Sequence, residues 1–309
     1  MIMYYPEGQL ILDSENRRFL ASPLEIEKAA AEGRVLEAVA EMCDSEHNLI
    51  VRLGPMRGII PHDEGAIGIK SGETRDIALL SRVGKPVCFI VREIKTDRLG
   101  RRTAILSRRA AQEKALREQI SRLRPGDVIN ARITHLESFG AFCDIGCGNI
   151  ALLPINSISV SRISHPRDRF SAGEDIRVVV KSIENGRITL THKELLGTWE
   201  ENAALFSQGE TVSGIVRSVE SYGVFVELAP NLAGLAEPKS DVYIGQTTSV
   251  YIKSIIREKM KVKLIIIDSF DSQYSKNKKY FFEGERMERW EYSPPEAGKR
   301  IISDFLEKP

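Results

Sequence analysis

Gly126-Asp127-Val128-Ile129-Asn130-Ala131-Arg132-Ile133 and, a few residues on, Ser138-Phe139-Gly140-Ala141-Phe142-Cys143-Asp144-Ile145 are two short runs that mix apolar and polar residues, broken by glycine. Period-two alternation of this kind reads as strands with one buried face. The pattern returns 83 residues later: Gly126 answers to Gly209, Ile133 to Val216, Gly140 to Gly223 and Phe142 to Phe225. Further on, Gly173 pairs with Gly245 and Lys181 with Lys253 at an offset of 72. An offset that holds, drops once by 11 and holds again indicates a duplicated unit whose second copy has a shortened connector. A fainter copy lies upstream at an offset of 93, with Gly33 for Gly126, Val35 for Val128, Gly58 for Ala151 and Pro61 for Pro154. On that offset Glu46 replaces Phe139, His47 replaces Gly140 and Leu49 replaces Phe142.

Each copy holds about five short strands in roughly 70 residues, which suits a small closed barrel of the OB type. Val178-Val179-Val180-Lys181 and Ile188-Thr189-Leu190-Thr191 supply the later strands of the middle copy, split by a Glu184-Asn185-Gly186 turn. The expected fold is mainly β: three tandem five-stranded OB-type barrels, the first divergent, joined by short α-helices, with a small C-terminal hairpin-helix extension. The expected divisions are 1–107 for a lead and the first barrel, 108–122 for a basic linker helix and 123–193 for the second barrel. A linker helix at 194–206, the third barrel at 207–267 and the extension at 268–309 complete the chain. Ser22-Pro23-Leu24-Glu25 predicts a capped helix start that Gly33 closes, and Ser293-Pro294-Pro295-Glu296 predicts a last short helix. Lys278–Glu283 and Arg286–Tyr292 read as a hairpin turning at Gly284, with Phe281, Trp290, Ile301 and Phe305 apolar enough to hold the tail on the last barrel.

With 309 residues and 42% hydrophobic residues the chain can build real cores, so a wholly disordered protein is excluded. No apolar run approaches the ~20 residues that span a bilayer, and the start lacks a basic stretch followed by an apolar one. Cys43, Cys88, Cys143 and Cys147 are too few for a disulfide scaffold in a chain of this length, and a cytoplasmic protein with free thiols is expected. The net charge is only +1, but Arg98–Arg124 carries nine basic and two acidic residues. A phosphate-contacting linker surface of Arg108, Arg109, Lys114 and Arg117 is therefore expected, the alternative being an ordinary solvated helix face.

Single-stranded nucleic acid is held by aromatic faces that stack on bases, with cations nearby for phosphates. Phe139 and Phe142 are the candidates in the middle copy, Tyr222 and Phe225 in the last. The intervening glycine would permit a bulge turning both rings outward; otherwise either ring could fill the barrel. Arg92, Lys181 and Lys253 recur at one position, Arg187 and Lys261 at another, and Arg132 and His135 lie just before the aromatic pair.

Together, Gly126-Asp127-Val128, Ser138-Phe139-Gly140-Ala141-Phe142, His165-Pro166, Gly173-Glu174-Asp175 and Gly186-Arg187-Ile188-Thr189-Leu190 resemble the S1 RNA-binding domain, the OB domain named after the largest protein of the bacterial small ribosomal subunit. Gly209–Leu264 resembles the same domain with its connector shortened, and Arg34–Arg109 a divergent copy. The resemblance implies RNA binding by Phe139, Phe142, Arg187 and, near the acidic position, Glu184, and by Tyr222, Phe225 and Lys261 in the last copy. The family's third-strand histidine has no counterpart, since Pro154 and Glu237 stand there. The implied function is non-catalytic binding of single-stranded RNA, mRNA above all, in translation, with the small ribosomal subunit as a possible partner and a monomeric chain. The alternatives are an RNA-processing or decay accessory, or a protein-interaction scaffold.

No catalytic or cofactor motif competes with this reading. Cys143 and Cys147 are four apart with no second ligand pair at zinc-site spacing, and Gly146-Cys147-Gly148 is too short for a phosphate loop. His47, His62, His135, His165 and His192 form no paired motif, so neither a metal nor a cofactor is expected.

Overall fold

The alternating runs close into three five-stranded barrels in the computed structural model, which describes residues 3–271 and 279–306. Two short helices come first. Helix α1 (Ser14–Leu20) is capped by Asp13, whose carboxylate accepts the Asn16 N–H. Helix α2 (Pro23–Ala31) starts as its sequence predicts, with Ser22 accepting the Glu25 N–H and proline at the first turn, and Gly33 follows at φ 57°. The first barrel comprises β1 (Val35–Cys43), β2 (Leu49–Arg52), β3 (Arg57–Ile60), β4 (Pro86–Thr96) and β5 (Arg102–Ser107), with the short helix α3 (Ile77–Leu80) between β3 and β4. Its strand order is β1-β2-β3-β5-β4, closed by β4 on β1, and β3 with β5 is its parallel pair. Alternate residues point inward: Leu36, Ala38 and Ala40, then Leu49 and Val51, Val87, Phe89 and Val91, Ala104 and Leu106 are all buried. The N-terminal compact unit, which runs to Leu123, also takes in Asn130–Arg132 and Asp144–Ile150.

Helix α4 (Arg108–Glu118) follows β5 directly, its first turn capped by Ser107, and a 3-10 turn at Ile120–Arg122 ends the segment. The middle barrel is β6 (Val128–Glu137), β7 (Gly140–Asp144), β8 (Ile150–Pro154), β9 (Asp175–Glu184) and β10 (Arg187–Thr191), in the order β10-β8-β7-β6-β9. The expected helix at 194–206 is shorter than the sequence suggests. It consists of a 3-10 turn at Lys193–Leu196 and the one-turn helix α5 (Trp199–Ala203), restarted by a Thr198–Glu201 capping box. Gly197 at φ 83° separates the two, a backbone conformation incompatible with one continuous helix.

The last barrel is β11 (Thr211–Glu220), β12 (Gly223–Ala229), β13 (Leu232–Ala236), β14 (Thr247–Ile256) and β15 (Lys261–Phe270), in the order β11-β12-β13-β15-β14. The tail packs against it, since Met287, Trp290, Tyr292 and Phe305 join one buried cluster with Val216, Val224, Val250 and Trp199. The tail's hairpin differs from expectation. Strand β16 (Arg289–Glu291) pairs with β17 (Ile302–Asp304), not with the 278–283 segment, whose first residue lies outside the described residues. The last short helix does not form either. Pro294-Pro295 makes a turn, because the residue before a proline is steered away from helical geometry and prolines supply no N–H.

The connector that is shortened in the last copy has a visible job in the middle copy. Residues 155–174 carry Asp168 and Arg169, and Arg169 meets Glu227 of β12 at 2.5 Å while Arg217 of β11 meets the same carboxylate at 2.7 Å. Glu227 is 1% exposed, so its charge is stabilised by two guanidinium groups rather than by water.

Candidate nucleic-acid interface

Phe139 and Phe142 lie edge to face, 6.0 Å between ring centres and 88° between planes, and Tyr222 and Phe225 repeat the arrangement at 6.2 Å and 87°. None of the four fills a barrel. Phe139 is 54% and Tyr222 65% exposed, while Phe142 and Phe225 are half-buried. The sequence suggested a bulge at the glycine; the structure uses a different device. Phe139 stands in the turn that joins β6 to β7, where strand alternation does not apply, and Phe142 is an outward residue of β7. In the last barrel the bulge falls at Arg217 on the opposing strand, between Val216↔Val226 and Ser218↔Phe225. The glycine is needed for close approach: a Cβ on Gly140 would stand 2.5 Å from the Leu153 carbonyl oxygen, and one on Gly223 2.5 Å from that of Ala236.

Register carries the platform across the barrel wall. Phe225 is opposite Leu235, and Leu235 is beside Lys263 on β15, so ring, aliphatic chain and ammonium form one outward row. In the middle barrel Leu152 is beside Thr189 in the same place. Lys263 is exposed, and nothing in the sequence singles it out from Lys261 just after the turn. The recurrent cations Arg92, Lys181 and Lys253 do share a position. Each is the extra residue of a bulge, between Val91 and Glu93, Val180 and Ser182, and Ile252 and Ser254, and a bulge re-aims its side chain. All three are exposed, as are Glu184, Arg187 and Lys261 around the final turns of the two barrels.

A closed five-stranded barrel, an outward aromatic pair at the entry to its second strand and cations around the last hairpin are set in residues 122–193, which match the family model described as S1 RNA binding domain. These residues are an S1 RNA-binding domain. Among curated proteins, several relatives are similar along much of the chain. The small ribosomal subunit protein bS1 of Staphylococcus aureus is 30% identical over 236 residues, covering 71% of this chain and 58% of that protein. The bS1 homolog of Bacillus subtilis is 28% identical over 234 residues, covering 72% and 59%. The bS1 of Leuconostoc lactis is 33% identical over 174 residues, covering 53% and 39%. The chain thus spans between two and three fifths of the length of these relatives.

The first of the S1-like barrels aligns differently from the constant offset of 93. Val51 pairs with Gly58 as Val226 pairs with Gly234, which places Ile50, not Leu49, at the Phe142 and Phe225 position. Leu49 points into the core, fully buried. His47 consequently takes the turn position of Phe139, and Glu46 is not the replacement that the offset suggests. The outward row here is Ile50, Ile59 and Ile105, with no aromatic ring in it.

The remaining candidates divide. His135 is exposed and hydrogen-bonds Glu137 at 2.6 Å. Arg132 points elsewhere, its guanidinium donating to the Glu7 carbonyl at 3.0 Å. The expected phosphate-contacting linker is largely committed to the protein itself. Arg108 is buried with its guanidinium on Glu7 at 2.6 and 2.9 Å, so it presents no surface to phosphate. The buried face of α4 explains this: Arg108, Ala111, Gln112 and Ala115 recur at helical spacing. Arg109 pairs with Glu64 and Glu113, and the Lys114 ammonium donates to the Gly33 carbonyl at 2.7 Å. The Arg117 side chain, 67% exposed, pairs with its neighbour Glu118 at 3.0 Å.

Proposed function

We propose that this chain is a non-catalytic binder of single-stranded RNA, mRNA in particular, that acts in translation in the cytoplasm as a partner of the small ribosomal subunit. The observation that carries the reading is the outward Phe139–Phe142 pair inside the matched S1 domain, in a barrel whose last hairpin also exposes Lys181, Glu184 and Arg187. Rings held edge to face on the outer surface can receive successive bases by stacking, and exposed cations of the same barrel can donate to phosphates. Tyr222 and Phe225 with Lys253, Lys261 and Lys263 form a second platform of the same design. The similarity to small ribosomal subunit proteins bS1 supports the ribosomal part of the reading.

Fluorescence anisotropy of the full chain with unstructured RNA oligonucleotides tests the first part. Phe139→Ala with Phe142→Ala should weaken binding by about 1–3 kcal/mol per stacked base, against little change for duplex RNA. Undiminished single-strand affinity would sink the stacking assignment. Co-sedimentation with small ribosomal subunits tests the second part: a chain that binds RNA but stays in the supernatant belongs to RNA processing or regulation instead.

A further inference from the structure

The turn that presents Phe139 in the middle barrel is occupied in the first barrel by Asp44–Asn48, and there it presents a histidine. His47 sits at φ 61°, a left-handed backbone uncommon outside glycine, and a dense set of hydrogen bonds holds it there. The Asp44 carboxylate accepts the N–H groups of Glu46 and Asn48 at 3.0 and 2.9 Å, and the Asp44 carbonyl accepts that of His47. Asn48 Oδ1 in turn accepts the backbone N–H of His62 at 2.9 Å, so both histidines hang on one frame with ring centres 5.9 Å apart. Between them lies Asp76. It occupies the N-cap position of α3, yet its side chain makes no capping bond and is turned to the rings instead. One carboxylate oxygen is 2.7 Å from His62 Nε2 and the other 3.2 Å from His47 Nδ1.

We propose that His47, His62 and Asp76 form a binding site for one divalent transition-metal ion of the zinc type. Their three ligand atoms lie within 4.8 Å of one another, and no other such group gathers among the described residues. Two ligand atoms at 2.0–2.1 Å from a tetrahedral zinc are about 3.3 Å apart. The two histidines address different oxygens of the Asp76 carboxylate, at 3.2 and 2.7 Å, so a bound ion requires that carboxylate to turn and to open from the His62 contact, a small movement for a half-exposed aspartate. Two imidazoles and one carboxylate suit zinc, cobalt or nickel and are a poor set for magnesium or calcium, which take oxygen. The outer partner is present as well. His62 turns Nε2 inward while its Nδ1 lies 3.3 Å from the Asp63 carboxylate, the carboxylate–histidine relay that fixes a ligating ring. A solitary ion pair would need neither the second histidine nor the second carboxylate. With three protein ligands and side chains open to solvent, the remaining coordination position belongs to water or an incoming oxygen anion. At the place where the other two barrels present a ring, the first would present a cation.

The inference is independent of the RNA reading and is tested on the full chain. Metal-free protein is dialysed to equilibrium against Zn²⁺ and titrated with Co²⁺, whose visible absorption reports coordination number and donor type. One equivalent should bind with a four-coordinate spectrum lacking a thiolate band. His62→Ala and Asp76→Ala should each weaken binding at least tenfold, and Asp63→Asn about tenfold. Cys43→Ser, which removes the one half-exposed thiol, should leave binding unchanged. His62→Gln, which keeps an amide beside Asp76, guards against an unfolded variant when its thermal transition matches the parent's. Failure of the parent to bind one equivalent overturns the proposal. So does binding that survives His47→Ala with His62→Ala, or that is lost in Cys43→Ser.

Discussion

Arg108 and Glu7, 101 residues apart in sequence, form a two-pronged ion pair with Nε on Oε1 at 2.6 Å and Nη2 on Oε2 at 2.9 Å, their side chains 6% and 5% exposed. Burial pushes the Glu7 carboxyl up, and the Arg108 and Arg82 charges with the Cys88 N–H more than reverse it, so Glu7 stays ionised well into acid. The pair fastens the irregular segment after Tyr4 to α4 and to β4, where the Cys88 N–H donates to Glu7 at 3.1 Å. Truncating one partner strands the other charge out of water. Arg108→Ala and Glu7→Ala should each destabilise the N-terminal barrel by about 3–5 kcal/mol in chemical denaturation. Replacing both by apolar residues of similar size should cost less than either single change. A single variant as stable as the parent would mean that water reaches this site.

Asp144 lies beside this pair within the same compact unit, and its protonation contributes to the pH response there, with Glu37, also raised by burial, acting in the same sense. Burial and the Glu7 charge raise its carboxyl to about 7, against the pull of N–H donors from Glu7, Gly146 and Gly148 at 2.7–3.0 Å. Its folded value is above the unfolded value of about 4, so between those limits the folded state holds a proton that the unfolded state has released. Stability should therefore fall as pH rises from about 4 to about 7. Glu7 has the opposite sign and acts lower, its contribution disappearing as the pH drops below the ordinary glutamate range. His62, raised by the Asp76 hydrogen bond, adds a decline of the same sign as Asp144 above about 6.5. The readout is thus the difference between parent and Asp144→Asn: the variant should be less stable at every pH but should show a shallower slope between about 4 and 7, the remainder belonging to Glu37. Parallel pH profiles for the two proteins would rule the assignment out.

The barrels were legible in the sequence because repetition fixes strand positions and because alternating burial survives in each copy. Gly126 and Gly209, both at φ 92°, sit in equivalent turns that no other residue adopts easily. The same repetition misled in the first barrel. A tight turn at Asp44–Asn48 differs by one residue from its counterparts, and in a strand one residue exchanges the inner face for the outer. Leu49 and Ile50 therefore swapped roles. What sequence could not reveal were partners brought together by folding. Arg108 reads as one more cation in a basic run until Glu7 is placed against it, and Lys263 reads as ordinary strand alternation until its neighbour Leu235 is known. His47, His62 and Asp76 are 15 and 14 residues apart, spacings that match no local metal motif.

Gly140 joins the site to the barrel's packing. Its Cα hydrogen faces the backbone of β8, where an added methyl would stand 2.5 Å from the Leu153 carbonyl oxygen and 3.0 Å from Pro154 Cα. Backbone cannot rotate away as a side chain would, so Gly140→Ala must push the start of β7, and Phe139 beside it, off the wall. Overpacking of this kind costs roughly 1–3 kcal/mol. Single-stranded RNA affinity should fall together with stability, although no binding group has been removed. Gly298→Ala is the control, since nothing lies within 4 Å of a Cβ there and both properties should hold. Unchanged affinity in Gly140→Ala would show that the position of Phe139 does not matter to binding.

The salt dependence of RNA binding separates cations that touch phosphate from cations that serve the fold. Each phosphate contact on a single strand contributes about 0.7 to the slope of log affinity against log salt. Read as a surface, the run Arg108, Arg109, Lys114 and Arg117 would contribute most of four contacts. The structure leaves far less available. Arg108 is buried on Glu7, Arg109 is shared by Glu64 and Glu113, and Lys114 is drawn to the Gly33 carbonyl. Arg117 alone of the four extends mainly into solvent. Arg117→Gln should therefore flatten the slope by at most about 0.7, and Arg109→Gln and Lys114→Gln should leave it where it is. Lys181→Gln and Arg187→Gln, at the exposed bulge and the final turn of the middle barrel, should each flatten it by a similar single step. Base preference should persist in all of them, because contacts to phosphate carry no sequence information. If the helix variants flatten the slope and the barrel variants do not, the strand of RNA runs along α4 and not across the face that bears Phe139 and Phe142.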